Sequence, residues 1–183
     1  MNGGYKMGQS KSIQIKISVR NLVEFIMRGG DIDNRRGSIA DKDAMQAGSR
    51  IHRKIQKRMG GDYRAEVSLK KSFQMGNYEI LVEGRADGIF TENGTVYIDE
   101  IKGIYRDLVY LKEPIAVHKA QAMCYAYFYG MDQGFTEIGV QMTYVNLETE
   151  DIKRYRETVL LQDLKNWFET VLGEYKKWTD YQY

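Results

Sequence analysis

Apolar and polar residues alternate along some stretches of the chain, whereas in others apolar residues recur every three or four positions. Alternation is typical of strands and the longer spacing of helices. The sequence predicts strands at residues 12–17, 63–73, 78–90, 95–104, 137–146 and 151–158, and helices at about 19–28, 42–59, 115–129 and 161–178. Residues 1–11 are predicted to be a disordered segment, and residues 12–183 a single domain that closes with an amphipathic helix.

Glycine and asparagine mark the turns between these elements. Gly76–Asn77 and Asn93–Gly94 separate the second, third and fourth strands, which predicts a three-stranded antiparallel meander. Ser18 is a predicted N-cap of the first helix, and Gly130 is predicted to end the third. The order of elements predicts an α/β fold in which helices flank a central mixed sheet.

Composition excludes several classes of protein and several kinds of site. Hydrophobic residues make up 43% of the 183 positions, enough for a core, and no run approaches the roughly 18 apolar residues of a membrane span. The first residues also have no apolar stretch typical of a secretion signal. Cys124 is the only cysteine, so an internal disulfide and a four-cysteine zinc or iron–sulfur site are excluded. We therefore expect a soluble cytoplasmic protein.

Positive charge is concentrated in the first third of the chain. Residues 1–60 carry 13 Lys and Arg against 5 Asp and Glu, although the whole chain has a net charge of only +2. The second helix contributes five of these cations, which we interpret as candidate contacts to DNA phosphates: Arg50, Arg53, Lys54, Lys57 and Arg58. A solvated basic helix face with no ligand explains the same pattern.

Two neighbouring strands carry acidic residues that a short hairpin brings together. Asp87 lies on one strand, and Glu100 and Lys102 share a face of the next. Buried unpaired charges are costly, and a Mg²⁺ or Mn²⁺ ion held by the two carboxylates would offset that cost. Lys102 could then lie beside an attacking water. A cross-strand ion pair at a solvated sheet end is the alternative interpretation.

Polar residues also border the apolar stripes of two helices. His52 lies beside Ile51 on the second helix, where it could reach a site under the sheet. On the third helix, His118, Gln121 and Tyr125 share one face, which could line the path of a single-stranded substrate. The alternatives are a helix histidine with an ordinary hydrogen bond and a packing helix whose aromatic residues belong to the core.

Taken in order, these motifs resemble the PD-(D/E)xK nuclease superfamily, and within it the RecB-like branch of exonucleases. The resemblance rests on the helix histidine His52, the G-x-x-D turn at Gly84–Asp87, the D/E-x-K motif at Glu100–Lys102 and the Q-x-x-x-Y motif at Gln121–Tyr125. It implies a restriction-endonuclease-like fold, with His52, Asp87, Glu100 and the carbonyl of Ile101 as metal ligands. It also implies a water-positioning role for Lys102, site-organising roles for Gln121 and Tyr125, and Glu66 as a secondary site residue.

The resemblance implies a Mg²⁺- or Mn²⁺-dependent DNA exonuclease that hydrolyses phosphodiesters at DNA ends or on single strands. Some relatives carry an iron–sulfur cluster, which the single Cys124 excludes here. The residues from Val19 to Ile26 look like the start of a subgroup fused ahead of a helicase, so a helicase domain or subunit is a further expected partner. The alternative is a non-catalytic DNA-binding or scaffolding module that keeps the fold.

Overall fold

A computed structural model describes residues 12–28 and 38–182, with side chains in the second range from residue 46 onward. The strands are β1 (Ile13–Ser18), β2 (Arg64–Met75), β3 (Tyr78–Glu92), β4 (Thr95–Ile104), β5 (Glu137–Asn146) and β6 (Ile152–Leu160). The helices are α1 (Val19–Met27), α2 (Ser38–Arg58), α3 (Ala116–Gln133) and α4 (Leu161–Gln182), and a 3₁₀ turn spans Leu108–Tyr110. The predicted disordered segment 1–11 lies outside the described residues.

The six strands form one mixed sheet in the order β1-β3-β4-β5-β6, with β2 along the other edge of β3. The long strand β3 pairs with β2 over most of its length, and it pairs in turn with β1 and β4 on its opposite edge. The meander β2-β3-β4 is antiparallel, as predicted, whereas β1 on β3 and β4 on β5 are parallel.

Helices cover both faces of this sheet. The larger core packs α1, α3 and α4 against one face. On the other face, Ile51 and Ile55 of α2 pack on Ile101 of β4 and Val145 of β5. The predicted fold class, a mixed sheet flanked by helices, is therefore confirmed. Within the described part of the chain, no helix has the length and apolar character needed to cross a bilayer.

The predicted turns at Gly76–Asn77 and Asn93–Gly94 and the helix cap at Ser18 are confirmed, whereas the predicted end of the third helix is wrong. Asn93 and Gly94 both have positive φ, +51° and +78°, which is typical of a two-residue type I′ hairpin. The Ser18 hydroxyl accepts the N–H of Asn21 at 3.0 Å and so caps α1. Gly130, however, lies inside α3, which continues to Gln133 and ends at left-handed Gly134. A Cβ at Gly130 would lie 2.7 Å from Leu161, so this glycine permits close packing of α4 on α3.

Candidate active site

The site lies in a fork where β3 and β4 separate. The ladder between them begins at Gly88 and Asp99, while β1 pairs with β3 only as far as Glu83. Asp87 and Glu100 occupy the gap between these two ladders. Two hydrogen bonds join the strands here: the N–H of Ile101 donates to Asp87 Oδ2 at 2.7 Å, and the N–H of Asp87 donates to Glu100 Oε1 at 3.4 Å.

The strand alternation of β3 changes phase at Asp87. Ala86 and Ile89 both belong to the larger core, whereas Phe90 stacks on Tyr63 on the opposite side of the sheet. In the ladder between β2 and β3, Asp87 and the residue opposite it, Glu66, are not paired, although the residues on either side of them are. Glu66 has a φ of +56°. That backbone conformation costs a non-glycine residue about 1–2 kcal/mol, and such strain is common at functional sites.

Helix α2 supplies the other wall of the site. His52 Nδ1 lies 3.3 Å from Asp87 Oδ1. The Gln56 amide donates to Glu66 Oε1 at 2.9 Å and to the carbonyl of Asp87 at 2.8 Å. Gln56 therefore holds the irregular parts of both strands. Sequence reasoning missed this residue, although its position four residues after His52 puts it on the same helix face.

Three potential metal-ligand atoms converge at this point. One atom each of His52, Glu66 and Asp87 lies within 4.8 Å of the other two. The composition of this cluster differs from the predicted ligand set, in which Glu100 was a ligand and Glu66 a secondary residue. Glu100 lies beside the cluster through its contact with Asp87. Ile101 contacts Asp87 through its N–H, and its carbonyl remains a predicted ligand.

The buried charges in the fork are only partly balanced. Glu100 is 3% exposed, and burial together with the negative charge of Asp87 raises its pKa well above the ordinary value. The Lys102 ammonium, 3.9 Å from Glu100 Oε2, opposes that rise. A divalent cation would relieve the repulsion more fully, and a set of carboxylate oxygens with one imidazole fits Mg²⁺ or Mn²⁺.

Helix α3 borders the site on the side of the larger core. A Cβ built on Gly84 would lie 2.4 Å from the Tyr125 hydroxyl, so only glycine lets Tyr125 approach the strand that leads to Asp87. The backbone of Arg85 hydrogen-bonds this hydroxyl, while burial and the charges of Glu100 and Asp87 raise the Tyr125 pKa. Tyr125 is therefore a neutral phenol at neutral pH. Gln121, one turn earlier, is also buried.

His118 lies at the edge of the same helix. Its Nδ1 is 3.1 Å from the Tyr144 hydroxyl. Burial, with the nearby positive charges of Lys102 and Arg20, lowers its pKa to about 4. At neutral pH His118 is therefore uncharged and could meet DNA only through hydrogen bonding or stacking, which leaves its DNA-binding role a prediction.

The five basic residues of α2 that are predicted to contact phosphates are all exposed, but they differ in whether an acidic residue lies near them. Lys54 lies 2.7 Å from Glu150 and Arg58 lies 4.0 Å from the same carboxylate, so both are partly neutralised. Lys57 is exposed on the same helix. Arg50 and Arg53 line a depression of about 500 Å³ together with Gln46 and Ser49. If DNA contacts α2, the Arg50–Arg53 part offers the stronger positive potential.

A further carboxylate, Asp99, lies behind the fork and was missed by sequence reasoning. It is fully buried and accepts hydrogen bonds from Tyr63 at 2.7 Å, Thr143 at 2.7 Å and Gln141 at 3.1 Å. Burial raises its pKa, and these hydrogen bonds oppose the rise. Because Tyr63 follows α2, this network ties the end of that helix to the strand that carries Glu100.

Comparisons with known proteins support the fold. No family model and no curated protein matches the chain. Among solved structures, the protein SSO0001 matches with a TM-score of 0.56 and 20% identity, over 86% of this chain and 75% of its own. An alkaline exonuclease from Laribacter hongkongensis, LHK-Exo, matches with a TM-score of 0.52 and 12% identity over 91% of each chain. Its complex with dAMP matches with a TM-score of 0.51 and 12% identity, over 94% of this chain and 92% of its own. The chain thus shares the fold of an alkaline exonuclease.

Proposed function

We propose that residues 12–183 form a divalent-metal-dependent DNA nuclease domain that hydrolyses phosphodiesters, acting as an exonuclease on ends or single strands. The observation that carries this proposal is the convergence of His52, Glu66 and Asp87 beside buried Glu100 and Lys102. The shared fold with an exonuclease, one structure of which contains dAMP, supports the same class of reaction.

The residues of the fork suit the parts that hydrolysis requires. The carboxylates and His52 would hold Mg²⁺ or Mn²⁺, which when bound polarises a phosphoryl oxygen and lowers the pKa of water. Lys102 is half-buried, with its ammonium 3.9 Å from Glu100, and would orient the water whose oxygen attacks phosphorus as the bond to the leaving oxygen breaks. Tyr125, whose neutral hydroxyl accepts a hydrogen bond from the backbone of Arg85, would support the strand before Asp87.

A cleavage assay tests this proposal. The protein should degrade end-labelled DNA in Mg²⁺ or Mn²⁺ and leave it intact in EDTA. Glu100→Gln and Lys102→Ala should each lose at least about 100-fold in rate, since each removes a group at the reacting centre. Glu174→Gln, at an exposed carboxylate on α4 paired with Lys177, is the matched control and should retain full activity.

Full activity in Glu100→Gln would contradict the assigned site. If the wild type binds DNA and no divalent metal produces cleavage, the non-catalytic DNA-binding module is the correct interpretation.

A further inference from the structure

The segment between β4 and α3, residues 105–111, exposes large apolar side chains; we name it the aromatic loop. Tyr105 is 55% exposed, Val109 64% and Tyr110 68%. Exposing three such side chains within six residues to water is unfavourable in free energy, and clustered exposed aromatic residues commonly mark a binding surface. Single scattered residues of this kind would need no explanation.

Two buried leucines and several hydrogen bonds to backbone carbonyls hold the aromatic loop in place. Leu108 and Leu111 are buried, and the Lys153 ammonium donates to their carbonyls at 3.3 and 2.8 Å. The Tyr155 hydroxyl also donates to the carbonyl of Leu111. The Asn146 amide donates to the carbonyl of Arg106 at 3.2 Å. With the backbone fixed in this way, the outward tyrosines are presented at a small cost in conformational entropy.

The loop begins next to the candidate active site. Tyr105 follows Lys102 by three residues, just past the end of β4, so at the rise of a strand the two Cα atoms lie at most about 10 Å apart. That upper bound equals about three base steps of 3.4 Å along one DNA strand. The loop then leads into α3, where the charge of Lys102 acts on His118. Exposed Arg106, between the two tyrosines, and exposed Lys112, after them, would contact phosphates.

We infer that Tyr105 and Tyr110 form a stacking platform for unpaired bases of a DNA strand whose phosphate lies in the fork. This inference rests on the proposed function and specifies its substrate as single-stranded DNA near the cleaved bond. Aromatic side chains stack on every type of base, and base faces are accessible when they are not already covered within a duplex. The platform would hold the strand irrespective of its sequence.

Binding measured in EDTA tests the platform without requiring cleavage. The probes are a fluorescent 12-mer of deoxythymidine and an abasic oligonucleotide of the same length, which has the same phosphates and no bases. Stacking on an aromatic side chain contributes about 1–3 kcal/mol per base, which corresponds to about a 5-fold to 150-fold tighter Kd. The wild type should therefore prefer the thymidine oligomer by at least 5-fold.

Variants locate that preference. Tyr105→Ala/Tyr110→Ala should abolish the preference and keep the affinity for the abasic strand, whereas Tyr110→Trp should retain it. Tyr181→Ala, at a tyrosine 87% exposed near the end of α4, is the matched control and should change nothing.

Equal affinity of the wild type for both oligomers overturns the inference, as does an unchanged preference in the double variant. Should the double variant fail to fold, the wild-type comparison and Tyr110→Ser decide. A double variant that loses affinity for both strands equally would instead show that the tyrosines support the fold or another partner, which also overturns the platform. Base preference without any metal-dependent cleavage would leave the platform standing and reject the nuclease.

Discussion

Replacing Gly84 with alanine tests the packing that supports the fork. The new Cβ would lie 2.4 Å from the Tyr125 hydroxyl and 3.0 and 3.1 Å from two of its ring carbons, so the hydroxyl must move about 1 Å to reach ordinary contact. Tyr125 is buried and has little room to move. Overpacking of this kind costs about 1–3 kcal/mol. In a domain of this size, that free energy corresponds to a Tm lower by about 2–12 °C.

The assay is a thermal melt by circular dichroism, with cleavage of single-stranded DNA measured on the same samples. A displacement of about 1 Å beside the reacting centre lowers activity by up to about 100-fold. Adding Tyr125→Phe removes the closest atom, so the double variant should be more stable than the sum of the two single effects predicts.

Gly173 on α4 provides the matched control. A Cβ there meets nothing within 4 Å, and alanine is favoured over glycine inside a helix by about 0.5–1 kcal/mol. Gly173→Ala should therefore raise the Tm slightly and leave cleavage unchanged. A Gly84→Ala protein with wild-type Tm and activity would refute the argument that Tyr125 packs tightly on this strand.

Three further predictions concern charge. Mn²⁺ at a hundred times its Kd should stabilise the fold by about 2.7 kcal/mol, seen as a rise of about 5–10 °C in Tm, and Asp87→Asn should remove that rise. The pKa of His118 is about 4 in the folded protein and ordinarily 6.5, so the unfolded chain binds more protons between these values. Stability from His118 is therefore complete above pH 6.5 and is lost as the pH falls toward 4, and denaturation of His118→Gln should show a flatter dependence across that window. In Arg50→Gln/Arg53→Gln, the log–log slope of DNA affinity against salt concentration should fall by about 0.7 for each single-strand phosphate that the protein no longer binds. Lys54→Gln should change this slope less, because the Lys54 ammonium already pairs with Glu150.

Local sequence signals predicted the elements of the fold well. The alternation of β3 and β4 and the Asn93–Gly94 turn define the hairpin because they depend on neighbouring residues alone. The end of α3 was placed wrongly since Gly130 and Gly134 are both adequate stop signals, and only the packing of Leu161 shows which one lies inside the helix.

The detailed arrangement of the candidate site could not be read from local patterns. Gln56 approaches both strands from α2 and hydrogen-bonds Asp87, where the phase of β3 changes, and Glu66, which has a left-handed backbone. Regular alternation gives no sign of this irregularity. In the same way, Asp99 gains its hydrogen-bond partners from β5 and from Tyr63, and those contacts exist only after the sheet has assembled.

We propose that the fork between β3 and β4 holds a divalent ion at the point where DNA is cut. Diffraction at the manganese absorption edge, from crystals grown with Mn²⁺ and a phosphorothioate oligonucleotide, locates such an ion directly. We expect an anomalous peak between His52, Glu66 and Asp87, beside Glu100, with the DNA backbone against it. Ordered DNA and Mn²⁺ bound elsewhere, with no anomalous peak in the fork, would contradict it.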